Sequence, residues 1–180
     1  MNDKQEKWVM DPSHSEIAFK IRHLMITHVK GNFNDFEADI FTTGDDFTTA
    51  KVECRVKSAS VDTRNADRDK HLVGPEFFDA ENHPEMTFHA TGYEKVDNDG
   101  SYELLGDLTI KDVTIPVKLD VEFGGVVKDP WGNEKAGFTI NGKVNRKDWN
   151  LNWNAALEAG GVMLADDVMI SCEIQLMRAV

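Results

Sequence analysis

The sequence predicts an all-β fold of about eight antiparallel, mostly hairpin-linked strands, closing as a sandwich or an up-and-down barrel. Three observations carry this. Apolar and polar residues alternate with period two along most of the chain, the pattern of half-buried strands. Turn-forming residues separate these runs, and no helical crossover of the kind a parallel sheet needs lies between them. One segment, Asn65 to His89, breaks the alternation by crowding Asp67, Arg68, Asp69 and Lys70 ahead of Leu72, Val73, Phe77 and Phe78.

Taken in order, Trp8-Val9-Met10 opens the chain and Asp11-Pro12 interrupts it. Ile17, Phe19 and Ile21 then share one face against Glu16, Lys20 and Arg22. Phe36, Ala38 and Ile40 alternate with Asp35, Glu37 and Asp39, and Ala50, Val52, Cys54 and Val56 alternate with four charged residues. After the insert, a turn at Glu81-Asn82-His83-Pro84 returns the chain to Met86, Phe88, Ala90 and Gly92 on one face. Asn98-Asp99-Gly100 is a hairpin turn, followed by Tyr102, Leu104, Gly106, Leu108 and Ile110. Lys111 to Thr114 forms the next turn, and Ile115 to Phe123 alternates again. Gly124-Gly125 and Asp129-Pro130-Trp131-Gly132 read as a loop, Phe138 to Val144 as a strand, and Val168 to Leu176 as a long closing strand. The insert around 65–82 and the segment 151–161 are the two non-strand pieces; the second reads as a helical turn at Ala155–Glu158 or a loop.

The inward parity mixes Phe19, Phe36, Phe88 and Phe138 with Ala38, Ala50, Ala90, Gly92, Gly106 and Gly142. A barrel of about eight strands is wide enough to be filled by side chains or to hold one small ligand. Small inward residues favour an open interior, whereas glycines in strands also mark bulges and close packing. Strands of roughly ten residues imply a chamber up to about 33 Å long, a shape for a slender lipid chain. The Asn65–His89 stretch is expected to cross over this chamber, with its charges in local ion pairs and Leu72, Phe77 and Phe78 in the wall.

At 180 residues the chain is most simply one domain, 1–180, with room for a sizeable core. A formal charge of −12 argues against nucleic acid and against electrostatic docking on an anionic membrane. No apolar run is long enough for a membrane span, so no stable membrane insertion is expected. MNDKQEKWVMD contains no apolar signal core, and the expected compartment is the cytoplasm, or the periplasm for a processed form. Cys54 and Cys172 lack metal or redox spacing and are expected as buried free thiols. A leftover sheet edge or apolar rim would allow a homodimer.

Catalytic patterns (GxSxG, HExxH, GxGxxG, P-loop) do not occur. The six histidines are dispersed, without metal-ligand spacing. His23 shares parity with Phe19 and Ile21, so it can face the chamber and meet a polar head group, as can Arg68. A lipid-acting isomerase or hydrolase would need an inward carboxylate beside His23, and parity supplies none. Trp131, Trp149 and Trp153 read as core or rim packing rather than a binding cluster.

Several blocks together resemble the YceI-like family. These are Asp11-Pro12-Ser13-His14-Ser15 with Phe19 to Leu24 and Gly31-Asn32-Phe33; Arg68-Asp69-Lys70-His71-Leu72 with Phe77-Phe78-Asp79 and Pro84 to Phe88; Gly106 to Ile110; and Asn145 to Trp149. The resemblance runs from about Trp8 to Leu176. It implies an eight-stranded antiparallel lipocalin-like barrel with a short helical insert around 65–82. It also implies non-catalytic binding, storage or transport of a polyisoprenoid lipid such as an isoprenoid quinone, with no other cofactor. Carried over by position, the lining comprises Phe19, Ile21, Phe36, Leu72, Phe77, Phe78, Phe88, Leu108 and Phe138. Many relatives carry a secretory signal, and none is expected from the opening residues here. Relatives also often have an aromatic–Gly pair where this chain has Trp149-Asn150, an expected alteration of one mouth of the tunnel.

Overall fold

A computed structural model describes residues 4–158 and 160–179. Among these residues eleven strands form one antiparallel sheet: β1 (Gln5–Met10), β2 (Glu16–His23), β3 (Thr27–Phe33), β4 (Phe36–Thr43), β5 (Asp46–Lys57), β6 (Val61–Asp62), β7 (Glu85–Lys95), β8 (Ser101–Ile110), β9 (Val113–Lys128), β10 (Glu134–Asn145) and β11 (Leu164–Arg178). They make eight staves, because three staves are each broken in two. β1 and β2 run in series along β11, as Met10 pairs with Leu176 and Ile17 with Cys172. β3 and β4 run back along them (Ile17 with Phe33, Val9 with Asp39), and β5 and β6 follow β4 and β3. Each stave then pairs with its successor through β11, which returns to β1 and β2 and closes the ring. The result is the up-and-down barrel rather than the sandwich.

Local chemistry sets the joints. The break between β1 and β2 is an Asx turn: Asp11 Oδ1 accepts from the Ser13 backbone (3.0 Å) and hydroxyl (2.7 Å). Lys111 and Asp112 both adopt left-handed backbone (φ 52° and 64°), the twist that suits a two-residue hairpin between β8 and β9. At the β7–β8 turn, Gly100 has φ 92° and Asp97 and Asp99 each cap the backbone two residues on.

Two expectations are corrected here. Gly124-Gly125 is not a loop but a bulge within β9, where Gly137 faces Gly125 and Phe138 faces Phe123. A second bulge between Ala90 and Gly92 flips the parity of β7, so Tyr93 rather than Gly92 turns inward. The insert reaches across one end of the barrel, with Phe78 against Phe33 of β3, His71 and Phe77 against Trp153, and His83 beside Asp112 of the β8–β9 turn. Lys57 pairs with Glu85, and the Ser58 amide donates to Pro84 O at 3.0 Å, so the segment leaves and re-enters at one point of the rim.

One end of the barrel, where β5, β8 and β10 finish, carries the insert; the opposite end is sealed. There Phe47 packs on Trp8, Phe123 and Phe138 at 5.0, 5.7 and 5.2 Å between centroids, and Trp8 is fully buried. The Trp8 indole N–H donates to Thr42 Oγ1 at 3.0 Å, which satisfies its one polar group. Arg178 lies over the Trp8 ring at 4.6 Å and pairs with Glu6, Asp45 and Glu134, covering the seal with charge.

Candidate functional site: an apolar chamber

Inside the barrel lies a cavity of about 400 Å³. Its wall is aliphatic and aromatic on every stave, and none of the described residues lining it is an Asp or Glu. Ala38, Ala50 and Ala90 line it directly, so the small inward alanines do leave space. Two inward glycines act differently. A side chain at Gly106 would run into the Phe88 ring and come within 2.8 Å of His89 O, and one at Gly142 would run into Leu119. These glycines seat neighbouring large residues against the sheet.

Of the expected lining, Phe19, Ile21, His23, Leu72, Phe77, Phe78, Phe88, Leu108 and Phe138 all border the cavity. Phe36 does not. It lies just past the Asn34–Asp35 break of its stave and packs into the apolar cluster with Phe33 and Val56, while Phe33 takes the cavity position. Phe33 is edge-on to Phe78 at 5.7 Å, which ties the insert to the broken stave.

The insert forms helix α1 (Ala66–Val73), capped by Asn65, whose side chain accepts from the Arg68 amide. Among the described residues the charged run does not form the expected ion pairs. Arg68 donates to Thr63 Oγ1 (2.7 Å) and Thr63 O (2.6 Å), and Asp69 accepts from the Thr63 amide (2.9 Å) and hydroxyl (2.5 Å). Thr63 is 3 % exposed, so burying its polar atoms requires these partners. Acidic groups of this region instead lie beside histidines, Glu76 at 3.4 Å from His71, and Asp112 and Asp79 at 3.3 and 4.0 Å from His83.

Polar lining collects at the insert end: His23, Thr63, Arg68, His71 and Arg146. His71 packs edge-on against Phe77 and Trp153 at 5.0 and 4.8 Å, yet its side chain is 37 % exposed. A residue that borders the cavity and also meets solvent marks the mouth. Arg146 went unnoticed as a lining residue in the sequence, because its Asn-Arg-Lys-Asp context reads as a surface turn. It begins a 3-10 turn (Arg146–Trp149) and is 3 % exposed. Its guanidinium donates to Ala165 O, Leu151 O and Trp153 O at 2.5–2.9 Å, while Nη2 has no partner among the described residues. Burial lowers its pKa and the charge of Asp166 raises it, the first effect being larger. Deeper in, the Tyr93 hydroxyl is also buried without a partner, and burial raises its pKa.

Asn150, the departure from the aromatic–Gly pair, caps the Arg146–Trp149 turn. It has φ 61° and ψ 26°, the left-handed cap that Gly usually fills and Asn tolerates, and its amide reaches Arg146 O and Lys147 O. Trp149 is buried and donates to Leu108 O at 2.9 Å; Trp153 is at the mouth; Trp131 is exposed in the loop after β9. Both thiols border the chamber. Burial pushes Cys54 up to about 12 and Cys172 up to about 11, which keeps them protonated. The segment 151–158 is extended and loop-like, with an Ala156–Val162 bridge rather than a helical turn.

A closed antiparallel barrel around an apolar chamber, sealed at one end and polar at the other, defines a binding barrel. Residues 8–176 match the YceI-like domain, and the chain belongs to that family. It is 42 % identical over 163 residues to a UPF0312 protein of Staphylococcus epidermidis, covering 90 % of this chain and 92 % of the relative. The YCEI protein of Campylobacter jejuni is 38 % identical with a TM-score of 0.76, over 89 % of this chain and 91 % of the other. Two more distant structures share the fold. Burkholderia cenocepacia BcnA is 19 % identical, with a TM-score of 0.79 over 92 % and 98 % of the two chains. A polyisoprenoid binding domain from Saccharophagus degradans is 11 % identical, with a TM-score of 0.66 over 96 % and 98 %. Among the described residues no helix is long and apolar enough to cross a membrane.

Proposed function

We propose that this protein binds a polyisoprenoid lipid, such as an isoprenoid quinone, and stores or carries it without covalent chemistry. The observation that carries the reading is the sealed apolar cavity of about 400 Å³ that runs up to a polar mouth. Each methylene moved from water into such a wall contributes about 0.8 kcal/mol, so an unsaturated hydrocarbon chain needs no ion pair to bind tightly. The unpartnered Arg146 Nη2 and the imidazole of His23 favour a head group with oxygen acceptors held at the mouth, the chain pointing inward. Arg68, committed to Thr63, serves the wall instead. A lining without a carboxylate favours binding over lipid isomerisation or hydrolysis, since His23 has no acid partner inside. The polyisoprenoid binding domain from Saccharophagus degradans, which shares the fold, lends support for the lipid class.

The test is lipid extraction and mass spectrometry of protein purified from its native host, beside the Ala90→Trp variant. Ala90 borders the cavity, and an indole there occupies the space the ligand needs. A prenyl compound should be recovered from the wild type and fall at least about tenfold in the variant, because the lost burial exceeds 1.4 kcal/mol. Equal recovery from both, or a wild type free of prenyl lipid, would sink the proposal.

A further inference from the structure

The β2–β3 hairpin departs from the rest of the surface in three ways. Its tip, Leu24-Met25-Ile26, is apolar and exposed, Ile26 at 83 %. Leu24 and Met25 both hold left-handed backbone (φ 54° and 64°), an uncommon conformation for unbranched-at-Cβ apolar residues outside Asn, Asp and Gly. The tip is fastened to the mouth: the Leu24 amide donates to Met163 O at 2.8 Å, and Met25 lies over Gly161, where an added Cβ would stand 2.9 Å from its sulfur. Exposed Val162 extends the apolar patch, and its neighbours His23, Met163 and Leu164 already line the chamber. The apolar surface therefore continues from outside the barrel into it.

Behind the tip, the outer face of the hairpin is basic in a chain of net charge −12. Lys20 is paired in register with Lys30, so like charges face each other across the strands, and Arg22 stands opposite His28. All four are exposed, and Lys20, Arg22 and Lys30 have no ion pair with any described residue. On the other side of Lys20 the row continues to Met169, 40 % exposed. The carboxylates nearest this row along β11, Asp166 and Asp167, are engaged by Lys147 (3.2 Å) and Lys143 (3.9 Å). Facing like charges cost stability in a sheet unless an anion lies against them.

We propose that this hairpin docks the mouth on a bilayer bearing anionic head groups, Leu24, Met25, Ile26 and Val162 entering the interface while Lys20, Arg22 and Lys30 meet lipid phosphates. The proposal rests on the lipid-binding reading of the chamber. A lipid chain would pass between bilayer and barrel along the continuous apolar surface without crossing water. The acidic remainder of the molecule is repelled by the same bilayer. Because charges beyond about 8 Å are screened at physiological salt, that repulsion acts only on acidic faces turned toward the bilayer, which favours the basic mouth side down and keeps attachment reversible.

Cosedimentation with vesicles of phosphatidylcholine, with and without added phosphatidylglycerol, tests this. The wild type should partition onto the phosphatidylglycerol vesicles and be released by salt. Lys20→Glu with Lys30→Glu, and separately Met25→Asp with Ile26→Asp, should each cut partition about tenfold or more. Val127→Asp, at an exposed site toward the sealed end, should leave it unchanged. Unaltered thermal melting establishes that the variants are folded. Failure of the wild type to bind any vesicle overturns the proposal, as does undiminished binding by both double variants. So does attachment to an acidic protein surface in place of vesicles. Loading of a prenyl lipid from detergent micelles separates the two readings. If the wild type loads from micelles yet binds no vesicle, docking fails and the chamber reading stands. If the wild type does not load from micelles either, the chamber reading itself fails.

Discussion

Asp11 shows how one residue serves both the joint and the acid limit of the barrel. Hydrogen bonds from the Ser13 side chain, then the His14 side chain, hold its pKa down at about 2. An unfolded aspartate titrates near about 3.9. The stabilisation is therefore fully present above pH ~4 and disappears as pH falls through about 2. Asp11→Asn should lower stability by a constant amount near neutrality, and the gap to wild type should shrink steadily below pH ~4. Urea unfolding at a series of pH values measures this; a gap that widens in acid contradicts it. The sequence showed Asp11-Pro12 as an interruption, and that much was legible. That the interruption is a joint within one stave was not, because the pairing of both halves with β11 is a long-range fact.

At the scale of elements, alternation located the strands well and located their faces well until a bulge intervened. Tyr93 replaced Gly92 on the inner face because the β7 bulge adds one residue, and no local signal in Ala90-Thr91-Gly92 announces it. The inward glycines carry a second lesson. Gly106 was read as space, yet the Phe88 ring fills the space it leaves. Gly106→Ala should destabilise by about 1–3 kcal/mol through overpacking. It should also push Phe88 toward the cavity and weaken ligand uptake, both seen by comparing unfolding midpoints with lipid occupancy. An alanine variant as stable and as fully loaded as wild type would remove Gly106 from this role. The insert was legible as wall material through Leu72, Phe77 and Phe78. Its charges were misread because Thr63, the group they serve, precedes the run and gives no sign in sequence of being buried.

For the whole molecule, the eight-stave count emerged from period two and turn chemistry alone. Whether those staves formed a sandwich or a closed ring was settled by a contact between the two ends of the chain, the least local one in the fold. Trp8 lies opposite Arg178, and Met10 opposite Leu176. Apart from the β2–β11 ladder, which lies on the same seam, every other ladder joins staves consecutive around the ring and in the chain. Chain order and spatial order are thus the same circle, and the point at which the polypeptide begins is one of eight equivalent gaps. A circularly permuted protein, its ends bridged by a short flexible linker and reopened at Asn98-Asp99, should fold to the same barrel with the same far-ultraviolet circular dichroism and the same cargo. The β7–β8 turn is the place to cut, being exposed and held by its own short-range hydrogen bonds.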